Sequence, residues 1–481
     1  MASETARELK QIPIGIHATG VRKEADSMGE IEVPANHYWG AQTERALIHF
    51  AIGDDHLPKE VFHAYGYIKK AAAHVNAAAG LLEPWRANAI SAVADEVIGA
   101  QLDSEFPLFV WQSGSGTQTN MNVNEVIANR AIQLLGGDVG SKTPIHPNDH
   151  VNMSQSSNDT FPTAMHIATT LAIKKYLLPR VEALVAAVED KASRWHHIVK
   201  IGRTHLQDAV PLTVGQEWSG YAAQLRDVIR LIESSLDGIY RLAAGGTAVG
   251  TGLNAPPHFA EEIAAKIAEL TGLPFVTAPN KFAVQGSLDA MVNAHAVLRS
   301  LAVALMKIAN DMRWLASGPR CGLGELKLPA NEPGSSIMPS KVNPTQSEAM
   351  IMISIQVIGN DSAVAFAGSQ GNFELNTMRP LVIHNFLRSA RLLADACEMF
   401  RIFSVEGTSL DEKRIAQFVQ NSLMLVTALS SLVGYDQASK IVHKALDEEI
   451  TLKQAALASG LIDERTFDEL VDPLKMAFPN G

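Results

Sequence analysis

The sequence predicts a mainly α protein built around a bundle of long helices. Two observations carry that prediction. Apolar residues recur at helical spacing over unusually long stretches. Charged residues make up only 19% of the 481 residues, below the usual quarter. A chain so short of charge has little surface to solvate, so a bundle shared between subunits is expected.

Residues 1–155 mix short helical stretches, at 61–80 and 86–103, with loops rich in Gly, Asn and Pro. After "SSNDTFPTA" the character changes. From Pro162 to about Trp195, apolar residues fall at Met165, Ala168, Leu171, Ala172, Tyr176, Leu178 and Val181, with a bend expected at Pro179. A second long run starts at Val214 and continues through Trp218, Tyr221, Leu225, Val228, Ile232, Leu236 and Ile239. A third runs from Leu288 through Met291, Leu298, Leu301, Leu305, Ile308 and Met312. His295 lies on that third stripe and reads as a satisfied core histidine. Two further helices are expected at 345–367 and 381–403. From about 412 the helices shorten and charge rises, as in "HKALDEEITLKQAALASG". The expected division is therefore 1–155, 156–411 and 412–481.

Composition excludes several classes of function. The net charge of -11 and the lack of a Lys/Arg-rich run argue against nucleic-acid binding. A local cluster of donors can still hold an anion against that background. Two cysteines, Cys321 and Cys397, are too few for an iron–sulfur cluster or a cysteine-based zinc site, and they suit a reducing compartment. No apolar run approaches the ~20 residues of a membrane span. The first residues show no signal-type apolar core and carry Glu4 and Glu8, which a mitochondrial transit peptide avoids. The expectation is a cytoplasmic protein with neither membrane nor nucleic acid as partner.

Small polar residues concentrate in four places where the apolar periodicity stops. They are "SGSGTQTNMNVNE" (113–125), "HPNDHVNMSQSSNDT" (146–160), "GRTHLQDAVP" (202–211) and "GSSIMPSKVNP" (334–344). Helix capping alone accounts for Gly-Ser-Gly-Thr or Ser-Ser-Asn-Asp before a helix. His205 fits a structural histidine as well as a functional one. His196 and His197, at adjacent positions, do not share a helix face and read as surface. The last segment is harder to explain by structure. Pro339 and Pro344 rule out a helix through it, and Gly334 offers a hinge. Lys341 and backbone N–H groups are neighbours that could lower the pKa of a serine hydroxyl. Lys341 with Asn343 could also take up negative charge developing on a carboxylate. The chemistry is that of a mobile loop carrying a base and an oxyanion-binding pair.

"GSSIMPSKVNP" resembles the signature loop of the fumarase/aspartase superfamily, whose members eliminate water or an amine to give fumarate. The blocks at 26–46, 113–130, 146–168 and 202–217 resemble those of class II fumarases, in the family order. Argininosuccinate and adenylosuccinate lyases share the loop core but not the other blocks in this form. Aspartate ammonia-lyase is the nearest rival, while "GSGTQTNMN" and "NPTQSE" resemble the fumarase versions. Two positions depart from the pattern: Ser340, where fumarases usually carry Gly, and Ser347, where many carry Cys.

The resemblance implies a three-domain fold and a homotetramer whose active sites each draw on three subunits. It implies no metal and no organic cofactor. Ser335 would be the base, and His205 the acid, oriented by Glu348. Substrate contacts would come from Ser115, Gly116, Thr117, Ser156, Ser157, Asn158, Thr204, Ser336, Lys341, Val342 and Asn343. A second dicarboxylate site would lie at His146, Pro147, Asn148 and Asp149.

Overall fold

The computed structural model describes residues 8–478; Glu4 lies outside them. The chain forms two compact units. One comprises Met1–Leu177, Leu231–Arg299 and Gln356–Leu392, the other Leu178–Arg230, Ser300–Ile355 and Leu393–Gly481.

The first unit opens with an antiparallel hairpin, β1 (Val21–Asp26) with β2 (Gly29–Pro34), which the polar, irregular pattern there does not announce. Helices α1 (Ala41–His49), α2 (Lys59–Ala78), α3 (Pro84–Ile98) and α4 (Thr117–Leu134) follow. The expected helix at 86–103 ends earlier, because Gly99 caps it. Buried Glu125 of α4 accepts from the backbone N–H groups of Gly40 (2.9 Å), Gln42 (2.8 Å) and Thr43 (3.1 Å). One carboxylate thus satisfies the free donors at the start of α1. α5 (Ser157–Ala172) begins with Ser156 as N-cap and Asp159 completing a capping box, as the capping reading expects. α2 packs against α3, α5 and α8 (Phe259–Thr271), with the Phe62 and Phe106 rings stacked at 4.6 Å.

The long helical stretch expected from Pro162 is interrupted by a π turn at Ile173–Leu177, after which α6 (Leu178–Arg194) begins. Pro179 cannot donate to a carbonyl one turn back, and the wider turn before it accommodates that loss.

His295 has the satisfied core environment read from its stripe. It lies on α10 (Asp289–Leu315), which follows a short helix α9 (Lys281–Gly286). Its Nδ1 is 2.9 Å from Asp361 Oδ1 on α11 (Thr345–Gly368). Its Nε2 is 3.0 Å from Ser389 Oγ on α12 (Arg379–Phe400). The atom order resembles a hydrolase triad. Ser389 is fully buried, however, and also accepts from Asn360 Nδ2 at 3.0 Å, so no substrate reaches its hydroxyl.

In the second unit, residues 202–211 belong to a hairpin that sequence reading passes over: β3 (Val199–Thr204) with β4 (Gln207–Thr213), ahead of α7 (Val214–Ile239). His205 and Leu206 form its two-residue turn, with φ of 57° and 64°. Two positive φ values mark the turn favoured by Asn-Gly, and His-Leu carries no such signal. A buried ion network anchors the strand. Lys200 Nζ donates to Glu217 Oε1 at 2.8 Å and lies 2.8 Å from Glu325 Oε2 in ion-pair contact. Arg203 Nη2 donates to Glu325 Oε1 at 2.6 Å. β3 also packs against α13 (Glu412–Asn421), and β4 against Pro473–Ala477. The short helices beyond share their own apolar cluster, including Leu425, Leu429, Ile441, Leu452 and Phe467.

Judged only by length and composition, α10 and α11 are long and apolar enough to cross a membrane. Counting uninterrupted apolar runs misses this, because isolated polar residues such as Arg299 and Asp361 break the runs. Arg299 Nη1 and Asp361 Oδ2 pair at 2.8 Å.

Candidate active site

In the first unit the two Ser/Thr-rich segments meet. The hydroxyls of Ser113 and Ser115 lie 3.0 Å apart, those of Ser115 and Thr117 2.8 Å, and those of Thr117 and Ser157 2.8 Å. This chain of four hydroxyls joins the start of α4 to the start of α5. Each oxygen is half-buried, so it can turn its proton or its lone pair toward an anion. Gly116 has φ 75°, and a Cβ there would run into the Phe161 ring. Asn158 Nδ2 donates to Ala248 O at 2.8 Å. Behind them Asp159 accepts from the N–H groups of Ser156 (2.9 Å), Gly245 (2.9 Å) and Thr247 (3.0 Å). Burial nevertheless pushes its carboxyl up to about 6.

His146 caps the π turn Pro147–Val151. Its Nδ1 accepts from the N–H groups of Asn148 and Asp149, both at 3.2 Å. That arrangement places the ring proton on Nε2. The expected second dicarboxylate segment is thus a compact turn whose first N–H groups are taken up by its own histidine.

In the second unit, Ser335 Oγ accepts from the backbone N–H groups of Ile337 (3.2 Å) and Met338 (3.0 Å). These are the donors that a developing serine alkoxide needs. Gly334 is not the open hinge that its residue type suggests. Its N–H donates to Lys341 O at 3.0 Å, and a Cβ on it would press into that same carbonyl oxygen. Asn343 Nδ2 donates to Gly334 O at 2.6 Å, which leaves its second N–H for a ligand. Ser340 takes the left-handed conformation, φ 64°.

Two cavities flank this loop. One, of about 810 Å³, is lined by Arg313, Lys327, Lys341, Asn343 and Glu348 among others. The other, of about 430 Å³, is lined by Gly334, Ser335, Met338 and Lys341 among others. Lys341 therefore faces both. His205 sits exposed at its hairpin tip beside exposed Thr204 and lines neither cavity. Among the described residues, the structure makes no side-chain hydrogen bond between His205 and Glu348. Ser336 and Val342 are exposed. Among the described residues, no group of three or more His, Cys, Asp or Glu side chains gathers as a metal site would require.

Sequence reading missed two parts of this arrangement. The first is the small-residue run "GGTAVGTG" (245–252), whose backbone holds Asp159 and Asn158; its glycine content was a usable signal. The second is Lys69, fully buried beneath the hydroxyl segments. Nothing in "YIKKAAAH" sets it apart from the solvated lysine beside it.

Residues 29–359 match the family described as Lyase, and residues 425–477 match the fumarase C C-terminus. The chain is 68% identical over 465 residues to a class II fumarate hydratase of Methanosarcina acetivorans, covering 97% of this chain and 96% of that one. It is 57% identical over 453 residues to a class II fumarate hydratase of Thermosynechococcus vestitus, covering 94% and 97%. A class II fumarase structure from Schistosoma mansoni aligns with TM-score 0.94 at 42% identity, over 96% of this chain and all of that one. The chain belongs to the class II fumarate hydratase family and has its mainly α fold.

Proposed function

We propose that this protein catalyses the reversible hydration of fumarate to (S)-malate, with Ser335 as base and His205 as acid. The observation that carries the assignment of the base is the pair of backbone N–H groups directed at Ser335 Oγ. In the dehydration direction, the Ser335 oxygen, as the alkoxide stabilised by those two N–H groups, takes the proton from the carbon next to a carboxylate and becomes the hydroxyl. The electron pair left behind is delocalised into that carboxylate as a dianionic aci-carboxylate. Lys341 and Asn343 take up its charge. His205 does not reach Glu348 within one chain, so in this reading each active site draws on three subunits; there His205, oriented by Glu348, protonates the departing hydroxyl. The C–O bond breaks, the double bond forms and water leaves.

The hydroxyls of Ser115, Thr117, Ser156 and Ser157, with Gly116, Asn158, Thr204, Ser336 and Val342, hold the carboxylates. His146–Asp149 forms a second dicarboxylate site. The proposed reaction needs no metal or organic cofactor. Aspartate ammonia-lyase, the runner-up from sequence, is not favoured by the relatives, which are named fumarate hydratases.

We further propose a cytoplasmic homotetramer with three domains, 1–155, 156–411 and 412–481. α11 supports shared subunits: most of this apolar helix is left uncovered within one chain. Met352, Ile355 and Phe366 are all exposed, and such apolar surface calls for a partner.

The test follows the ultraviolet absorbance of fumarate's conjugated double bond. Absorbance should rise with (S)-malate and stay flat with aspartate, without added metal. Ser335→Ala should abolish the rise while leaving the oligomer intact. A rise with aspartate alone would replace the hydratase reading by the ammonia-lyase.

A further inference from the structure

Lys69 is a buried cation without a carboxylate in contact. Its side chain is fully buried on α2, and its ammonium donates to three amide oxygens: Asn120 Oδ1 at 2.7 Å, Gln155 Oε1 at 2.9 Å and Asn152 Oδ1 at 3.2 Å. Three protons meet three acceptors, so its donors are fully used. The acceptors are not neighbours in the chain. Asn120 lies in the first turn of α4, three residues after Thr117. Asn152 and Gln155 lie just before Ser156 and Ser157. Asn152 Oδ1 also accepts from Asn120 Nδ2 (3.0 Å) and Asn124 Nδ2 (3.1 Å). The ammonium therefore ties both hydroxyl-bearing segments together from behind, beside the direct Asn120–Asn152 contact.

The charges around it are unbalanced. Asp159 is the carboxylate that acts on Lys69, and it is shared with Lys281 and Arg379. Arg379 is itself fully buried, donates to Gln285 O at 2.9 Å, and leaves Nε and Nη1 unpaired. On the elements packed against α2, Glu261 and Glu262 of α8 are exposed, and several other charged groups are engaged elsewhere. Asp95 of α3 pairs with Lys70 at 2.7 Å, and on α8 Lys266 pairs with Glu269 at 2.8 Å. Glu125 of α4 holds the start of α1. In the turn after α4, His146 holds its own loop and His150 Nδ1 accepts from His146 N at 2.8 Å. Tyr65 presents its ring 5.5 Å from the ammonium. Two fully buried basic groups, Lys69 and Arg379, and half-buried Lys281, which exposed Glu261 also offsets, face one buried carboxylate behind the hydroxyl chain, in a protein whose net charge is -11.

We propose that Lys69 is a positioning residue for the dicarboxylate: its ammonium holds the Ser115–Thr117 and Ser156–Asn158 segments in register, and a dianion bound there draws a proton from solvent onto the Lys69 amine. The inference rests on the assignment of those hydroxyls to substrate binding. Burial holds the Lys69 ammonium down to about 7, so at pH 8 most of it is neutral and one of the three amide oxygens lacks its donor. A dianion settling on the hydroxyl chain restores the charged form. Between the free and bound pKa values, binding consumes protons and weakens as pH rises.

The test is calorimetric titration at pH 8 with succinate, a four-carbon dicarboxylate that cannot be hydrated, in phosphate and in Tris. The difference in heat between the two buffers counts the protons taken up. Wild-type protein should take up about half a proton or more per site. Lys69→Met should lose that uptake and bind succinate about tenfold more weakly, with the oligomer unchanged. If Lys69→Met does not fold, Asn152→Asp serves in its place. A carboxylate against the ammonium keeps Lys69 charged before the ligand arrives, so uptake at pH 8 should vanish while Lys69 remains. Uptake that persists in either variant overturns the proposal, as does wild-type affinity in Lys69→Met. The underlying reading fails separately, if wild-type protein neither binds succinate nor hydrates fumarate.

Discussion

Asn343 donates from its side-chain amide to the carbonyl oxygen of Gly334 at 2.6 Å, closing the 334–343 loop on itself. The backbone bond from Gly334 N to Lys341 O, at 3.0 Å, reinforces the closure. The loop that carries Ser335 is therefore a tied turn whose two ends touch. Its glycine is needed for close approach rather than for motion.

Gly334→Ala tests that relationship. The added methyl presses into Lys341 O, a backbone atom that cannot swing away, so the two ends must separate. Ser335 and Lys341 then lose their relative placement. Turnover should fall by about 100-fold, the scale of an ångström of misplacement, with the oligomer unchanged by size-exclusion chromatography. Steady-state kinetics equal to wild type would show that the closed turn is not the active form.

Ser340→Gly addresses the same loop from the other side. Ser340 stands at φ 64°, where a residue with a Cβ pays roughly 1–2 kcal/mol. Glycine removes that cost but adds backbone freedom of comparable size, so global stability should change by less than about 1 kcal/mol. Local opening should become easier. Hydrogen exchange over 334–344 should accelerate in the variant, and unchanged or slower exchange would show that Ser340 does not stiffen the loop.

Ser347 is buried with no hydrogen-bond partner for its hydroxyl. A thiol tolerates an apolar setting better than an unpaired hydroxyl does. Ser347→Cys should raise stability by about 1 kcal/mol, read as a higher denaturation midpoint at unchanged slope. A lower midpoint would mean that the hydroxyl is engaged.

His166 supplies a pH dependence. It is buried on α5, its Nδ1 is 3.1 Å from Arg241 O, and burial lowers its pKa from 6.5 to about 4. Between pH 6.5 and 4 the unfolded chain binds more protons than the folded one, so stability falls as pH drops through that window. The slope is about 1.4 kcal/mol per pH unit at its steepest. His166→Gln should flatten it in denaturant titrations at pH 7 and pH 5. An equal slope in both proteins would assign acid sensitivity to other groups.

The long helices were legible because a 3.6-residue apolar period is written into a continuous stretch of chain. Val214–Ile239 and Asp289–Leu315 lie where that period places them. The hairpin carrying His205 was not legible. Its turn is made by two residues without turn propensity, held at positive φ by the strands and by ion pairs from Glu217 and Glu325. The Ser335 loop was legible as chemistry, since two prolines and a glycine exclude regular structure. Its internal ties were not, because a glycine needed for contact and a glycine needed for motion read alike.

By itself the sequence determined the helical architecture, the composition of each polar segment and the family to which the chain belongs. These are properties of short windows and of their order. Only the tertiary structure decided that Thr117 meets Ser157 across 40 positions of sequence and that Lys69 reaches Gln155 across 86. It also decided that Lys69 is a buried cation while Lys70, one residue on, pairs with Asp95 at a solvated edge. The reason is burial. The charge state and partners of a lysine are set by what the rest of the chain packs against it, and no local pattern encodes that.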